Sequence, residues 1–137
     1  MAQQYSISDL SLEFSVTTRT LRFYEEKGLL NPNRDGQKRW YSVADRTRLV
    51  LILRGKRLGL SLQESSEIIR LYDPSSNNEQ QLLLLIDKLQ HKRIALERQR
   101  QDLDDMIHEM DQWLERYQQE LEANHSPQSK LSREQSR

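Results

Sequence analysis

The chain lacks cysteine altogether, and it contains only four glycines and three prolines among its 137 residues. Without cysteine it can form neither a disulfide nor a thiolate-ligated metal site, which excludes a disulfide scaffold and a cysteine-based zinc module. The scarcity of glycine and proline leaves long stretches without residues that interrupt a helix. The composition therefore favours a mostly α-helical protein.

Long apolar runs are also missing. The longest uncharged apolar run covers residues 82–86, which is too short to span a bilayer. Residues 1–8 are polar and lack the basic start and apolar centre of a signal peptide. We therefore expect a cytoplasmic protein that has no membrane partner.

Motifs for enzymatic chemistry are not found. The sequence has no recognisable pair of nucleophile and base, no phosphate-binding glycine loop and no H-E-x-x-H motif, so we expect neither an enzyme nor a cofactor. His108 lies close in sequence to Asp104 and Asp111, and one helical face could hold a divalent ion with these ligands. A solvated polar face explains the same spacing, so we predict no metal ligand.

Charge is distributed unevenly although the formal net charge is zero. Residues 1–60 carry eleven Lys and Arg against six Asp and Glu, whereas the remaining residues carry ten against fifteen. A basic N-terminal half suggests a polyanionic partner for that end of the chain. Charge alone would describe an ordinary solvated surface equally well.

The first thirty residues predict two short helices. Ser8 is a suitable N-cap for a helix that contains Leu10 and Phe14, and Thr17 or Thr18 can cap a second helix over residues 19–27. Gly28 follows in the position where a left-handed residue ends a helix. Two short helices joined by a short turn indicate a helix-turn-helix.

The next segment predicts a wing and two more helices. An Asp-Gly turn at Asp35 lies between basic and aromatic flanks, which indicates a β-hairpin over residues 33–41. Ser42 is expected to cap a third helix over residues 43–58. Ser61 and Glu64 have the spacing of a capping box for a fourth helix over residues 62–72.

Residues 79–123 contain no glycine or proline and repeat apolar residues every seven positions, which is typical of a coiled coil. A lone helix of this kind cannot bury its apolar stripe, so we predict that it pairs with a second copy of the chain. Lys92 and Gln99 interrupt the stripe, where they could fix the register or face a ligand. Residues 124–137 are polar and are predicted to form a disordered tail. The predicted dimerisation residues are Leu82, Leu85, Leu89, Leu96, Leu103, Met106, Met110 and Trp113.

The second helix is the predicted recognition helix. Its first-turn amides and hydroxyls suit phosphate oxygens, and arginine can donate two hydrogen bonds to guanine. Cations on the wing and at the end of the third helix would reach the DNA backbone. The alternative is an amphipathic helix with ordinary surface arginines, beside a wing whose aromatic residues only pack. The predicted DNA-binding residues are Thr17, Thr18, Arg19, Arg22, Tyr24, Arg34, Arg39, Tyr41 and Arg57.

Three segments resemble the DNA-binding domain of the MerR family of transcription regulators. Residues 17–30 match the motif T-x-R-x-(L/I)-R-(F/Y)-Y-E-x-x-G-L-(L/I) at every specified position. Residues 39–42 match R-x-Y-(S/D) after the wing, and residues 54–64 are similar to the second-wing stretch. The wing departs from the family pattern, because Gln37-Lys38 stands where Gly-Tyr is frequent.

The resemblance implies a winged helix-turn-helix domain over residues 5–74 and an antiparallel coiled coil over residues 79–123. It also implies a homodimer on double-stranded promoter DNA that distorts the spacer between the −35 and −10 elements, with RNA polymerase as a further partner. The missing cysteines indicate a short-tailed, cysteine-free subgroup, in which residues 54–62 are similar to regulators of leucine/isovalerate and fatty-acid catabolism. The sequence does not identify an effector molecule. The alternative is a coiled-coil interaction protein, or a small-molecule-responsive adaptor, with no operator of its own.

Overall fold

The computed structural model describes residues 3–125, and within them helices predominate over three short strands. This order confirms the predicted winged helix-turn-helix followed by a long helix. The elements are β1 (Gln4–Ser6), α1 (Ile7–Phe14), α2 (Thr18–Glu26), β2 (Asn33–Asp35), β3 (Lys38–Ser42), α3 (Val43–Arg57), α4 (Leu62–Arg70) and α5 (Glu79–His125).

The first helix begins two residues earlier than predicted. Its N-cap is Ser6, whose hydroxyl accepts from the Asp9 amide at 3.0 Å, while the Asp9 carboxylate accepts from the Ser6 amide at 2.9 Å. This reciprocal pair is a capping box, which Ser8 could not form because its third following residue is Ser11. The prediction of Ser8 as the cap is therefore wrong. The helix ends at Ser15, which takes a left-handed conformation with φ of 54°.

The second helix begins as predicted with Thr17 as its N-cap, and its hydroxyl accepts from the Thr20 amide at 3.1 Å. Gly28 follows the helix with φ of +75°, a conformation that glycine adopts without steric cost. The α1–α2 pair is therefore the predicted helix-turn-helix.

A three-stranded antiparallel sheet carries the wing, with the strand order β1-β3-β2. The hairpin pairs Arg34 with Arg39 and turns at Gly36, whose φ is +64°, which confirms the predicted Asp-Gly turn. Strand β1 was not predicted. It pairs Tyr5 with Tyr41 of β3, and three residues are too short to show the alternation that marks a strand. The sheet thereby connects the N-terminus to the base of the wing.

The core lies where α1, α2, α3 and the sheet meet. Its apolar members are Leu10, Leu21, Tyr24, Leu29, Leu30, Tyr41, Leu49, Ile52 and Ile69. One carboxylate is buried beside them. Asp45 is 1% exposed, caps α3 together with Ser42, and accepts from the Asn31 amide at 3.1 Å and from Arg48 at 3.2 Å. These bonds compensate the cost of burying its charge and attach the segment after α2 to α3.

Helices α3 and α4 pack closely because α3 contains a glycine at the contact. A Cβ atom on Gly55 would lie 2.9 Å from the Ser65 hydroxyl and 3.2 Å from a methyl group of Leu60. The predicted capping box of Ser61 and Glu64 is present at the start of α4. The helix ends at Arg70, two residues before the predicted end.

The compact N-terminal unit extends to Gln90, beyond the predicted domain end at residue 74, and a second unit begins at His91. The first turns of α5 belong to the N-terminal unit because they bind α4. Gln81 donates to the Ile68 carbonyl at 3.4 Å, and the Lys88 ammonium lies 2.9 Å from the Glu67 carboxylate.

The long helix ends at His125, so Asn124 and His125 are helical rather than part of the predicted tail. The rest of that predicted tail lies outside the described residues. Within residues 3–125, no helix combines the length and the apolar character needed to cross a bilayer.

We predict that Gly55→Val lowers the free energy of unfolding by about 1–3 kcal/mol, the usual cost of overpacking a tight contact. The added side chain would collide with Ser65 and Leu60. Urea unfolding at one fixed protein concentration measures the change. Lys56→Val is the matched control, since Lys56 is exposed in the same helical turn. Equal effects of the two substitutions would contradict the packing role of Gly55.

Candidate nucleic-acid interface

The exposed face of α2 carries cations that have no acidic partner. Arg19 and Arg22 are both exposed and lie three positions apart, so they share one face of the helix. No carboxylate within residues 3–125 forms an ion pair with either guanidinium. Both arginines can therefore reach a ligand outside the chain, as the sequence predicted.

The same helix also exposes an aromatic ring that the sequence analysis did not select. Phe23 is 42% exposed, and the Lys27 ammonium lies 5.5 Å from the centre of its ring. An apolar group beside arginines on a recognition helix suits the methyl group of thymine. The burial of Leu21 and Tyr24 was the available signal, because it leaves position 23 on the outer face.

The hydroxyls at the start of α2 are partly engaged within the protein. Thr17 caps the helix, and its hydroxyl also lies 2.8 Å from the Thr20 hydroxyl. Thr18 is half-buried at the first helical position. The predicted phosphate contacts of Thr17 and Thr18 are thus left mainly to their backbone amides, which point out of the helix N-terminus.

The two wing arginines are bound to one carboxylate of α2, which the sequence analysis did not assign. Arg34 donates to Glu25 Oε1 from Nε at 3.2 Å and from Nη2 at 2.7 Å. Arg39 donates from Nε to the other carboxylate oxygen at 2.8 Å. Glu25 therefore joins the wing to the recognition helix. The family-like motif includes this glutamate, but the motif does not show which side chains it meets.

Glu25 stays ionised at neutral pH in this arrangement. Its partial burial would raise its pKa, but the hydrogen bonds and charges of Arg34 and Arg39 together outweigh burial and lower the pKa. The cluster therefore contains two positive charges and one negative charge. Arg34 remains largely exposed, with 61% of its side-chain surface accessible, whereas Arg39 retains 20%.

The two predicted tyrosine contacts require correction. Tyr41 is 0% exposed, and its buried hydroxyl has no hydrogen-bond partner among the described residues. Burial raises the pKa of Tyr41, and the nearby Glu25 charge raises that pKa further. Tyr24 is 4% exposed and belongs to the core. Neither side chain is presented to a DNA backbone in this conformation, because the hydrophobic core of the helix-turn-helix takes both rings.

A cleft of about 310 Å³ opens between the wing and the helix-turn-helix. Arg22 enters it from α2, and Lys38 and Arg39 enter it from β3. The first residues of α1 form the opposite wall, where helix amides and the Ser8 hydroxyl are near the cations. The structure thus combines predicted residues with two that were not predicted, Ser8 and Lys38. The lining residues are Ser6, Ile7, Ser8, Arg22, Gln37, Lys38, Arg39 and Trp40.

Arg57 occupies the last turn of α3 and does not line this cleft. It is exposed together with Arg54 and Lys56, so it belongs to a second basic group on the N-terminal unit. These charges also oppose the partial negative charge of the α3 C-terminus. Within the described part of the chain, no cluster of three His, Asp or Glu residues could hold a metal ion.

Comparison with protein families gives two matches. A family model described as "MerR HTH family regulatory protein" matches residues 5–72, and one described as "MerR, DNA binding" matches residues 46–113. The chain is 41% identical over 80 residues to the mercuric resistance operon regulatory protein of Serratia marcescens, a match that covers 57% of this chain and 55% of that protein. The chain spans about half the length of the curated relatives it matches.

Solved structures share the fold. The N-terminal part of MtaN, the Bacillus subtilis multidrug transporter activator, is 29% identical with a TM-score of 0.60, covering 80% of this chain and 97% of that one. HiNmlR, described as a MerR family regulator lacking the sensor domain and bound to promoter DNA, is 22% identical with a TM-score of 0.54, covering 82% and 80%. With two family models that together span residues 5–113, this chain belongs to the MerR family of helix-turn-helix regulatory proteins.

Proposed function

We propose that this chain is a transcription regulator that binds double-stranded promoter DNA as a homodimer. The observation that carries the proposal is the cleft in which Arg22, Lys38 and Arg39 face the N-terminus of α1. Cations and helix amides are the two groups that proteins use to bind phosphate. A repeating polyanion fits this surface better than a small anion does, because further exposed cations lie beyond the cleft at Arg19 and Arg57.

The elements divide the work of recognition. We propose that the wing and the start of α1 contact phosphates, which fix the position of the domain but carry no sequence information. Helix α2 then lies in the major groove, where Arg19 and Arg22 reach base edges and Phe23 contacts thymine methyl groups. The relatives support this assignment, because one is named as an operon regulator and another is described as bound to promoter DNA.

The long helix supports a dimer. The predicted seam residues of α5 are exposed in the single chain, from 37% at Leu89 to 59% at Leu96. Soluble monomers rarely leave such a continuous apolar stripe in water. A second α5 with the same heptad pattern can cover it, and we propose an antiparallel pair. Such a pair would set two DNA-binding units at a fixed separation.

We further propose that the dimer acts by changing the shape of the promoter. Two recognition helices would enter major grooves roughly 34 Å apart, or at a multiple of that distance. Distortion of the spacer between the −35 and −10 elements would offset its elastic cost with additional phosphate contacts and would let RNA polymerase engage both elements. Genes for branched-chain amino acid or fatty-acid catabolism stay the predicted targets, on the similarity of residues 54–62 to regulators of those pathways.

Arg22→Ala should weaken binding to a DNA duplex. If Arg22 contacts a phosphate, the slope of log affinity against log salt becomes shallower by about 0.9, and if it reads a base, discrimination falls by roughly 1–3 kcal/mol. Fluorescence anisotropy with labelled duplexes across a salt series measures the slope, and a pool of sequences measures the discrimination.

Arg98→Ala is the matched control for Arg22, because it removes the same charge from an exposed position of α5. Its affinity and salt slope should equal those of the unmodified protein. Binding of Arg22→Ala that matches this control would remove Arg22 from the interface. A wild-type chain that ignores duplexes at low salt would contradict the proposed function itself.

Leu96→Asp should convert the dimer to a monomer. The substitution places two carboxylates in the apolar seam of the paired helices, where desolvation opposes their charge. Sedimentation analysis in the ultracentrifuge measures the mass. Gln101→Asp introduces the same side chain at the opposite side of the heptad and should stay dimeric. A dimeric Leu96→Asp variant would show that the assumed seam is wrong.

A further inference from the structure

We propose that Glu25 is an intramolecular counter-ion that limits how strongly the wing attracts DNA of any sequence. The inference rests on the proposed function and identifies a specificity-determining residue within that interface. Glu25 holds Arg34 and Arg39 of the wing through three hydrogen bonds of 2.7–3.2 Å. It would thus weaken sequence-independent binding and increase the contrast between a preferred site and other DNA.

The pairing is selective among the basic groups of the interface. Both wing arginines share one carboxylate, whereas Arg19, Arg22 and Lys38 have no ion pair with any residue of the part of the chain that the structure describes. The base-reading helix therefore keeps its full positive charge, while the phosphate-contacting hairpin is partly neutralised. A uniformly basic surface would not separate the two roles in this way.

The chemistry of the cluster limits what a phosphate can gain. Arg34 and Arg39 are two positive charges, and Glu25 reduces the cluster to a net charge of one. A phosphate that approaches the wing must compete with a carboxylate that already occupies Nε of both guanidinium groups. Exchange of carboxylate for phosphate replaces one charge-assisted hydrogen bond with another, so an isolated wing contact adds little affinity. The exchange becomes favourable where contacts of α2 with its preferred bases hold the duplex in place.

Removal of the carboxylate charge should release both arginines toward DNA. Each additional phosphate contact steepens the dependence of log affinity on log salt by about 0.9. We therefore expect Glu25→Gln to bind a random-sequence duplex several-fold more tightly at low salt. Its salt slope should be steeper by about 0.9 for each arginine released.

The experiment uses the full chain and a labelled random-sequence duplex of about three helical turns, roughly 30 base pairs, across a salt series. Glu26→Gln is the matched control, because Glu26 is the exposed neighbour on α2 and loses the same charge without releasing an arginine. It should leave the salt slope unchanged. Circular dichroism melting establishes that each variant is folded.

A double substitution separates the counter-ion role from a structural one. In the Glu25→Gln background, Arg34→Gln should return the salt slope toward the wild-type value, whereas the same substitution in the wild-type background should change it little. Equal effects of Arg34→Gln in both backgrounds would overturn the inference. A weaker affinity and a shallower slope for Glu25→Gln would also overturn it, since Glu25 would then position the arginines for DNA. These outcomes are measured on proteins that bind duplexes, so they are distinguishable from a failure of the wild-type chain to bind DNA.

Discussion

The arrangement of the interface depends on a small core in which side chains from four elements meet. Leu10 of α1, Leu21 of α2, Tyr41 of β3 and Leu49 of α3 have no exposed surface. Because these residues lie on one apolar cluster, the recognition helix, the wing and the start of α1 cannot shift independently. The surface that faces outward is therefore set by what is packed inside, and the cations converge because their backbones are held there.

Two carboxylates adjust this frame. Asp45 is buried and joins the segment after α2 to the first turn of α3 through the Asn31 amide and Arg48. Glu25 lies nearer the surface and joins α2 to the wing. Buried charges are tolerated only where partners compensate their desolvation, and both groups have such partners. The acidic residues of the basic half thus orient cations rather than merely reduce the net charge.

The long helix follows a different physical logic. Its first turns bind α4 through Gln81 and Lys88, so they belong to the N-terminal unit. Beyond Gln90 its apolar residues have no internal partner among the described residues and stay exposed. Folding of this part then depends on a second surface, which makes its stability inseparable from association. A regulator built in this way would keep its DNA-binding units compact while the helix sets their separation.

The sequence by itself determined the features that arise within a few residues: the cap at Thr17, the turn at Gly36, the capping box at Ser61 and the seven-residue repeat of α5. Local hydrogen bonds and periodicity encode these features, so they can be predicted without knowing the fold. Only the tertiary structure decided that Tyr41 is buried, that β1 pairs with β3 and that Glu25 binds two arginines. These depend on groups brought together from distant positions, such as Glu25 and Arg39, which lie 14 positions apart. A motif specifies which residues are present, whereas packing decides which of them face the solvent and which charges are already paired.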